Sequence, residues 1–203
     1  MMLGFYNYTV ILTYAGMLTA FFGIAAACNG SERISLICLM VAGLCDMFDG
    51  AVARTRKRTQ AEKRFGIQID SLSDLISFGA LPGMILYCGN QDMGSMVIAS
   101  LYVLCALIRL AFFNVMEEER QEQTSESRTC YLGLPVTSSA MILPAAYALQ
   151  AYSGGSGNLA GRVSLFVMSI LFLLPVKVRK PHTFGKTFLA LLGVAGFLLF
   201  AGE

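Results

Sequence analysis

Four aspartates lie in two pairs along an otherwise apolar part of the chain. They are Asp46, Asp49, Asp70 and Asp74. The members of the two pairs are three and four residues apart, so a helix would place both carboxylates of each pair on one face. An ionised carboxylate inside a membrane is costly unless a cation pairs with it. Together the pairs would form a cage of hard oxygen ligands, which predicts a site for two Mg²⁺ or Mn²⁺ ions.

The residues around the aspartates predict a phosphate site beside the metals. Gly50 follows Asp49 directly, and its missing Cβ lets a ligand approach the backbone. Arg54 lies four residues further on, where its guanidinium can hold a phosphate. We expect Asp74, which lies deepest from the basic loop, to accept the proton of an attacking hydroxyl. Intramembrane acids also occur in ion transporters, but Gly50, Arg54 and Gly66 at these offsets favour the pyrophosphate site.

The complete pattern, D-x2-D-G-x2-A-R followed by G-x3-D-x3-D, resembles the signature of the CDP-alcohol phosphatidyltransferase family. The resemblance implies that the four aspartates hold the metals and that Asp74 also serves as the base. It further implies that the cytidine rests against Gly50 and Ala53, with Thr13 nearby. One feature departs from the family: residues 55–65 make the spacing between the two halves longer than usual. We expect the added residues to form a surface loop, where extra length costs little.

Three further strings resemble the serine-using branch of this family. They are F-G-I-Q-I-D-S-L-S-D-L-I-S-F-G-A-L-P at 65–82, I-R-L-A-F-F-N at 108–114 and Y-L-G-L-P at 131–135. The resemblance implies CDP-diacylglycerol and L-serine as substrates, phosphatidylserine and CMP as products, and a homodimer. Related enzymes that use glycerol 3-phosphate or an inositol phosphate are the alternative. Those acceptors carry a phosphate and would need several cations near Arg109, but the apolar stretches 95–116, 134–152 and 163–176 contain no other Lys or Arg.

Arg109 stands inside an apolar stretch and suits a carboxylate, because its guanidinium offers two parallel donors. We expect it to bind the serine carboxylate; the alternatives are the lipid phosphate and a structural acid of the bundle. Asn114, five residues on, either helps to bind the substrate or caps the end of the span.

The composition predicts an integral membrane protein. Of 203 residues, 56% are hydrophobic and 14% are charged, and the mean hydropathy is +0.63; a soluble domain carries about 25% charged residues. Apolar stretches predict six spans in one domain, 1–203, with a seventh candidate at the C-terminus. They cover 5–28, 34–53, 66–89, 95–116, 134–152, 163–176 and 187–201. The predicted fold is therefore an all-α bundle with a six-helix transmembrane core.

The distribution of basic residues predicts the orientation in the membrane. The loops at 54–64 and 177–186 hold ten of the fifteen Lys and Arg residues, which assigns both loops and the N-terminus to the cytoplasm. The aspartates then lie at the cytoplasmic face, in what we expect to be the cell membrane of a prokaryote. A net charge of +2 is too small to suggest nucleic acid. The six cysteines show no paired spacing, so neither a disulfide framework nor a zinc site is predicted.

Overall fold

A computed structural model describes residues 4–53, 55–123, 130–153, 159–175 and 177–179. Its seven α-helices are α1 (Ile11–Cys28), α2 (Glu32–Ala53), α3 (Gln60–Asp74), α4 (Leu81–Asn90), α5 (Met93–Gln123), α6 (Ser139–Tyr152) and α7 (Leu159–Leu173). A π-helical segment, Leu75–Ala80, joins α3 to α4, and short 3-10 turns, Tyr8–Val10 and Val136–Ser138, precede α1 and α6. Two short strands, β1 (Cys130–Leu132) and β2 (Lys177–Arg179), pair antiparallel.

Within the described residues the helices form six rods, because α3, the π segment and α4 continue without a break from residue 60 to residue 90. Four rods are long and apolar enough to cross a membrane: Tyr8–Cys28, Glu32–Ala53, Gln60–Asn90 and Met93–Glu119. The helices α6 and α7 are shorter. The prediction of an all-α integral membrane protein with a six-helix core is confirmed. The seventh candidate, 187–201, and the basic residues 180–186 lie outside the described residues.

The prediction that residues 55–65 form a surface loop was wrong for its second half, because α3 already begins at Gln60. Thr59 caps this helix: its side chain accepts a hydrogen bond from the backbone N–H of Glu62, and the Glu62 carboxylate accepts one from the backbone N–H of Thr59. This reciprocal pair satisfies two donors that the helix leaves free. The extra length therefore extends α3 toward the solvent rather than widening the loop.

The polar stretch 117–130, between the predicted spans 95–116 and 134–152, contains regular structure. Helix α5 continues to Gln123, so the first part of this stretch is helical. Its last residue begins β1, which pairs with β2 from the basic segment after α7. The Glu and Gln residues of 117–123 are strong helix formers, so the helix can extend beyond its apolar part.

Glycines allow α1 and α2 to pack closely along their length. A Cβ built on Gly16 would lie 3.2 Å from the Cβ of Cys45, and one on Gly23 would lie 2.8 Å from that of Cys38. Small residues at such contacts are typical of membrane helices, where close packing replaces the hydrophobic effect. This pairing fixes α1 against the half of α2 that carries Asp46 and Asp49.

The π segment changes the helical hydrogen-bond pattern next to the second aspartate pair. It begins directly after Asp74. The carbonyl oxygen of Phe78 accepts hydrogen bonds from the Tyr102 hydroxyl at 2.7 Å and the Ser139 hydroxyl at 3.4 Å. The neighbouring helices α5 and α6 thus stabilise the altered turn. Single π turns of this kind occur frequently at functional sites.

Candidate active site

Three of the four aspartates meet where the end of α2 lies beside α3. One carboxylate oxygen each from Asp46, Asp49 and Asp70 lies within 4.8 Å of the other two. All three residues are half-buried. The spacing along α2 gives the first two a common face, and the packing of α3 brings the third to it.

The fourth aspartate lies at the adjoining cavity. Asp74 lines this cavity together with Asp46 and Asp49. Asp46 and Asp49 therefore belong both to the cavity lining and to the cluster with Asp70. The remaining lining residues are Leu12, Thr13, Gly16, Ala42, Cys45, Ser73, Ser77 and Phe78. Cys45 was not predicted as a site residue. Its position four residues before Asp49, on the same helical face, was the available signal.

Helix α1 holds the site in place through two hydrogen bonds. The Thr13 hydroxyl donates to Oδ2 of Asp49 at 3.2 Å. The Ser73 hydroxyl, from α3, donates to the backbone carbonyl of Thr13 at 3.3 Å. Thr13 therefore contacts both aspartate-bearing helices, and it is buried. Its position fits a residue that orients a carboxylate as well as the predicted contact with the nucleotide.

The donor atoms of the aspartate cluster fit a hard divalent cation. Each residue offers a carboxylate oxygen, the ligand that Mg²⁺ and Mn²⁺ prefer. Ionised carboxylates this close repel one another in a partly buried setting, and a bound cation removes that repulsion. The geometry therefore supports a site for a divalent metal ion.

The glycines predicted to face the nucleotide differ in their surroundings. A Cβ added to Gly50 would have no neighbour within 4 Å, and the residue is exposed. The backbone there is open to a ligand. A Cβ on Gly66 would lie 3.1 Å from Nη1 of Arg58, so this loop arginine covers the second glycine. Ala53 is half-buried at the end of α2, and Arg54 lies outside the described residues.

The two residues predicted on α5 have different partners. Asn114 accepts a hydrogen bond of 2.7 Å from the hydroxyl of Ser71, which directly follows Asp70 in the sequence. Arg109 is buried, and its guanidinium lies 3.5 Å from the carbonyl oxygens of Gly133 and Phe172. It also lies 4.5 Å from the centre of the Phe113 ring. Asn114 is thus tied to the helix that carries the second aspartate pair.

The family described as CDP-alcohol phosphatidyltransferase matches residues 6–201. The chain belongs to this family. The resemblance seen in the sequence motif is confirmed, and the match extends across nearly the whole chain. The two halves of the motif lie on α2 and α3, and Thr13 of α1 contacts both helices.

Three named relatives are similar to this chain over half of its length or more. A CDP-diacylglycerol–serine O-phosphatidyltransferase of Saccharomyces cerevisiae is 40% identical over 112 residues, which cover 53% of this chain and 40% of that protein. An archaetidylserine synthase of Methanothermobacter thermautotrophicus is 27% identical over 179 residues, covering 87% and 71%. A CDP-diacylglycerol–serine O-phosphatidyltransferase of Mycobacterium tuberculosis is 28% identical over 179 residues, covering 86% and 60%. The chain thus spans less than two thirds of the yeast and mycobacterial proteins.

Proposed function

We propose that this protein transfers a phosphatidyl group from CDP-diacylglycerol to L-serine, giving phosphatidylserine and CMP. The observation that carries the proposal is the convergence of Asp46, Asp49 and Asp70 within 4.8 Å, with Asp74 at the adjoining cavity. The names of the yeast and mycobacterial relatives support serine as the acceptor. The geometry supports a site that binds a pyrophosphate, and the names of the relatives support serine as the alcohol that accepts the phosphatidyl group.

The four aspartates would hold two divalent cations, Mg²⁺ or Mn²⁺. When bound, such ions polarise phosphoryl oxygens and stabilise the charge of the leaving phosphate. Thr13 orients Asp49 by its hydrogen bond of 3.2 Å. The open backbone at Gly50 admits the pyrophosphate, with Ala53 and Gly66 beside the nucleotide and Arg54 on a phosphate.

Asp74 accepts the proton of the serine hydroxyl. Asp74 lines the cavity beside the cluster. An alcohol that attacks a phosphorus atom at the cluster needs a proton acceptor in that position. The new bond joins the serine oxygen to the phosphatidyl phosphorus, and the bond from that phosphorus to CMP breaks. CMP leaves with the electron pair of the broken bond.

Arg109 and Asn114 are the proposed contacts of the serine or the lipid phosphate. Asn114 is tied to Ser71, next to Asp70, so it is near enough to the cluster to serve an acceptor. Arg109 is buried, and its guanidinium lies 3.5 Å from two carbonyl oxygens. The parallel donors of a guanidinium suit the two oxygens of a carboxylate such as that of serine. Arg109→Lys keeps the charge and loses the planar fork, so we expect the KM for serine to rise more than kcat falls.

We further propose that the site faces the cytoplasm of a prokaryotic cell and that the protein forms a homodimer. The cytoplasmic assignment is supported by the basic residues at 54–64, which flank the aspartate end of the bundle. A water-soluble acceptor and a membrane lipid can both reach a site at that boundary.

One assay tests this function. Purified protein receives divalent metal, a CDP-activated lipid and one acceptor at a time: L-serine, glycerol 3-phosphate or inositol phosphate. We expect CMP release with CDP-diacylglycerol and serine, and its loss after chelation. An ether-linked CDP lipid as a separate donor tests the lipid class, since an archaetidylserine synthase is among the relatives. CMP release without serine would contradict the proposal in favour of the other acceptors. If no acceptor gives CMP release while a cation gradient dissipates across vesicles that contain the protein, the result favours a transporter.

A further inference from the structure

Two cysteines face each other at the end of the bundle opposite the aspartates. Cys28 is the last residue of α1, and Cys88 lies two residues before the end of α4. Their Sγ atoms are 3.9 Å apart. Cys28 is exposed and Cys88 is half-buried. A helix rises 1.5 Å per residue, so Cys28 lies about 22 Å along α1 from Thr13 at the site.

We propose that Cys28 and Cys88 form a modification site, a thiol pair that closes to a disulfide and ties α1 to α4. The sulfur atoms have to approach by about 2 Å to reach bonding distance, and an exposed cysteine at a helix end can turn to do so. The sequence alone predicted no pairing, because the two residues are sixty positions apart.

The position of the pair suits this chemistry. Cys28 directly precedes the Asn29–Gly30 turn, and Cys88 precedes the turn after Asn90. The basic residues assign the opposite end to the cytoplasm, which leaves these turns on the far face of the membrane. Disulfides form and persist on that side. Its location separates this pair from Cys45, which lines the aspartate cavity.

Closure requires an electron acceptor, and the class is a protein that carries an oxidising disulfide. The thiolate of Cys28 attacks one sulfur of that disulfide, which breaks and leaves a mixed disulfide. The thiolate of Cys88 then attacks Sγ of Cys28, and the acceptor departs as a dithiol. The bond between Cys28 and Cys88 has formed, and two electrons and two protons have passed to the acceptor.

The cross-link would hold the helices that also meet at the site. At the aspartate end, α1 and α3 are joined by the hydrogen bond from Ser73 to Thr13. Because α3 continues through the π segment into α4, a bond between Cys28 and Cys88 fixes the same two rods at their other end. The expected consequence is greater stability of the bundle. This consequence does not depend on which alcohol the active site uses as substrate.

The experiment exposes the full chain in lipid vesicles to an oxidised disulfide-exchange protein. Free thiols are then blocked with N-ethylmaleimide, and peptides are mapped by mass spectrometry with and without reduction. We expect the peptides of Cys28 and Cys88 to be linked, with the loss of two hydrogen atoms, and to take up the label only after reduction. The oxidised protein should also unfold at a higher temperature than the reduced one.

Two variants make the result decisive. Cys28→Ser should abolish the link and the difference between the two melting temperatures. Cys105→Ser, which removes a thiol on α5, should leave both unchanged. Complete labelling of both cysteines in the oxidised wild type, a link to another cysteine or between two copies, or equal melting temperatures of the two forms would overturn the proposal.

Discussion

Asp92 at one end of the bundle and the aspartate cluster at the other end have opposite electrostatic surroundings. At one end Asp92 accepts hydrogen bonds of 3.0 Å from both the backbone N–H and the hydroxyl of Ser95, and it pairs with Arg162. At the other end the carboxylates of Asp46, Asp49 and Asp70 are gathered within 4.8 Å of one another. The first arrangement joins α5 to α7, whereas the second concentrates charge of one sign.

The difference separates a structural acid from a binding one. Asp92 finds its counter-charge in the chain, so its interactions are completed by folding alone. The gathered aspartates raise the electrostatic energy of the folded protein until a cation joins them. The same Asp→Asn substitution should therefore change turnover at the aspartate site and stability at Asp92.

The largest expected effect is that of Asp74→Asn on turnover. The amide cannot accept the serine proton, so we expect serine-dependent CMP release to fall by roughly 10²- to 10⁴-fold. The matched variant Asp92→Asn makes the same change at the other end and should keep near-normal turnover at low temperature. Equal activity of the two variants would remove Asp74 from the proposed reaction.

The next effect concerns stability and uses Gly43→Ala. A Cβ at this position would lie 2.7 Å from the Cβ of Ala140 on α6, so the helices have to separate. Overpacking of this kind costs about 1–3 kcal/mol. We expect a lower midpoint in thermal unfolding. An unchanged midpoint would show that α2 and α6 are not in close contact at Gly43.

The same substitution at Gly50 should act on binding instead. Since a Cβ at Gly50 meets nothing within 4 Å, Gly50→Ala should fold as the wild type does. If the nucleotide lies against this backbone, the KM for CDP-diacylglycerol should rise about tenfold, which corresponds to about 1.4 kcal/mol. Steady-state kinetics with varied lipid measure this, with the melting temperature as the control for folding. An unchanged KM would place the nucleotide elsewhere.

The smallest effect is a pH dependence at Asp92. The hydrogen bond from the Ser95 backbone N–H, supported by the Ser95 hydroxyl and the charge of Arg162, holds the pKa of Asp92 below its ordinary value of 3.8. A lowered pKa contributes stability above the ordinary value and loses it as the pH falls through the folded value. We expect Asp92→Asn to remove this acid-side loss in melting curves recorded below pH 4. A wild-type curve with the same acid slope as the variant would contradict this.

The sequence predicted much of this protein correctly because its main signals are local. Runs of apolar residues gave the membrane helices, and the aspartate motif gave the family. The span boundaries were less accurate at α3 and α5, where polar residues continue the helices. At α3 the cause is the capping box of Thr59 and Glu62. These two residue types are equally compatible with a loop, and only the structure shows the reciprocal hydrogen bonds that start the helix.

Helical spacing by itself determined that each aspartate pair shares a face, since residues three or four apart always lie together on a helix. Only the tertiary structure decided that the face with Asp46 and Asp49 meets Asp70. It likewise placed Ser71 against Asn114 and Cys28 against Cys88. These contacts join residues that are 21 to 60 positions apart. They depend on how whole helices pack, which no local pattern of residues specifies.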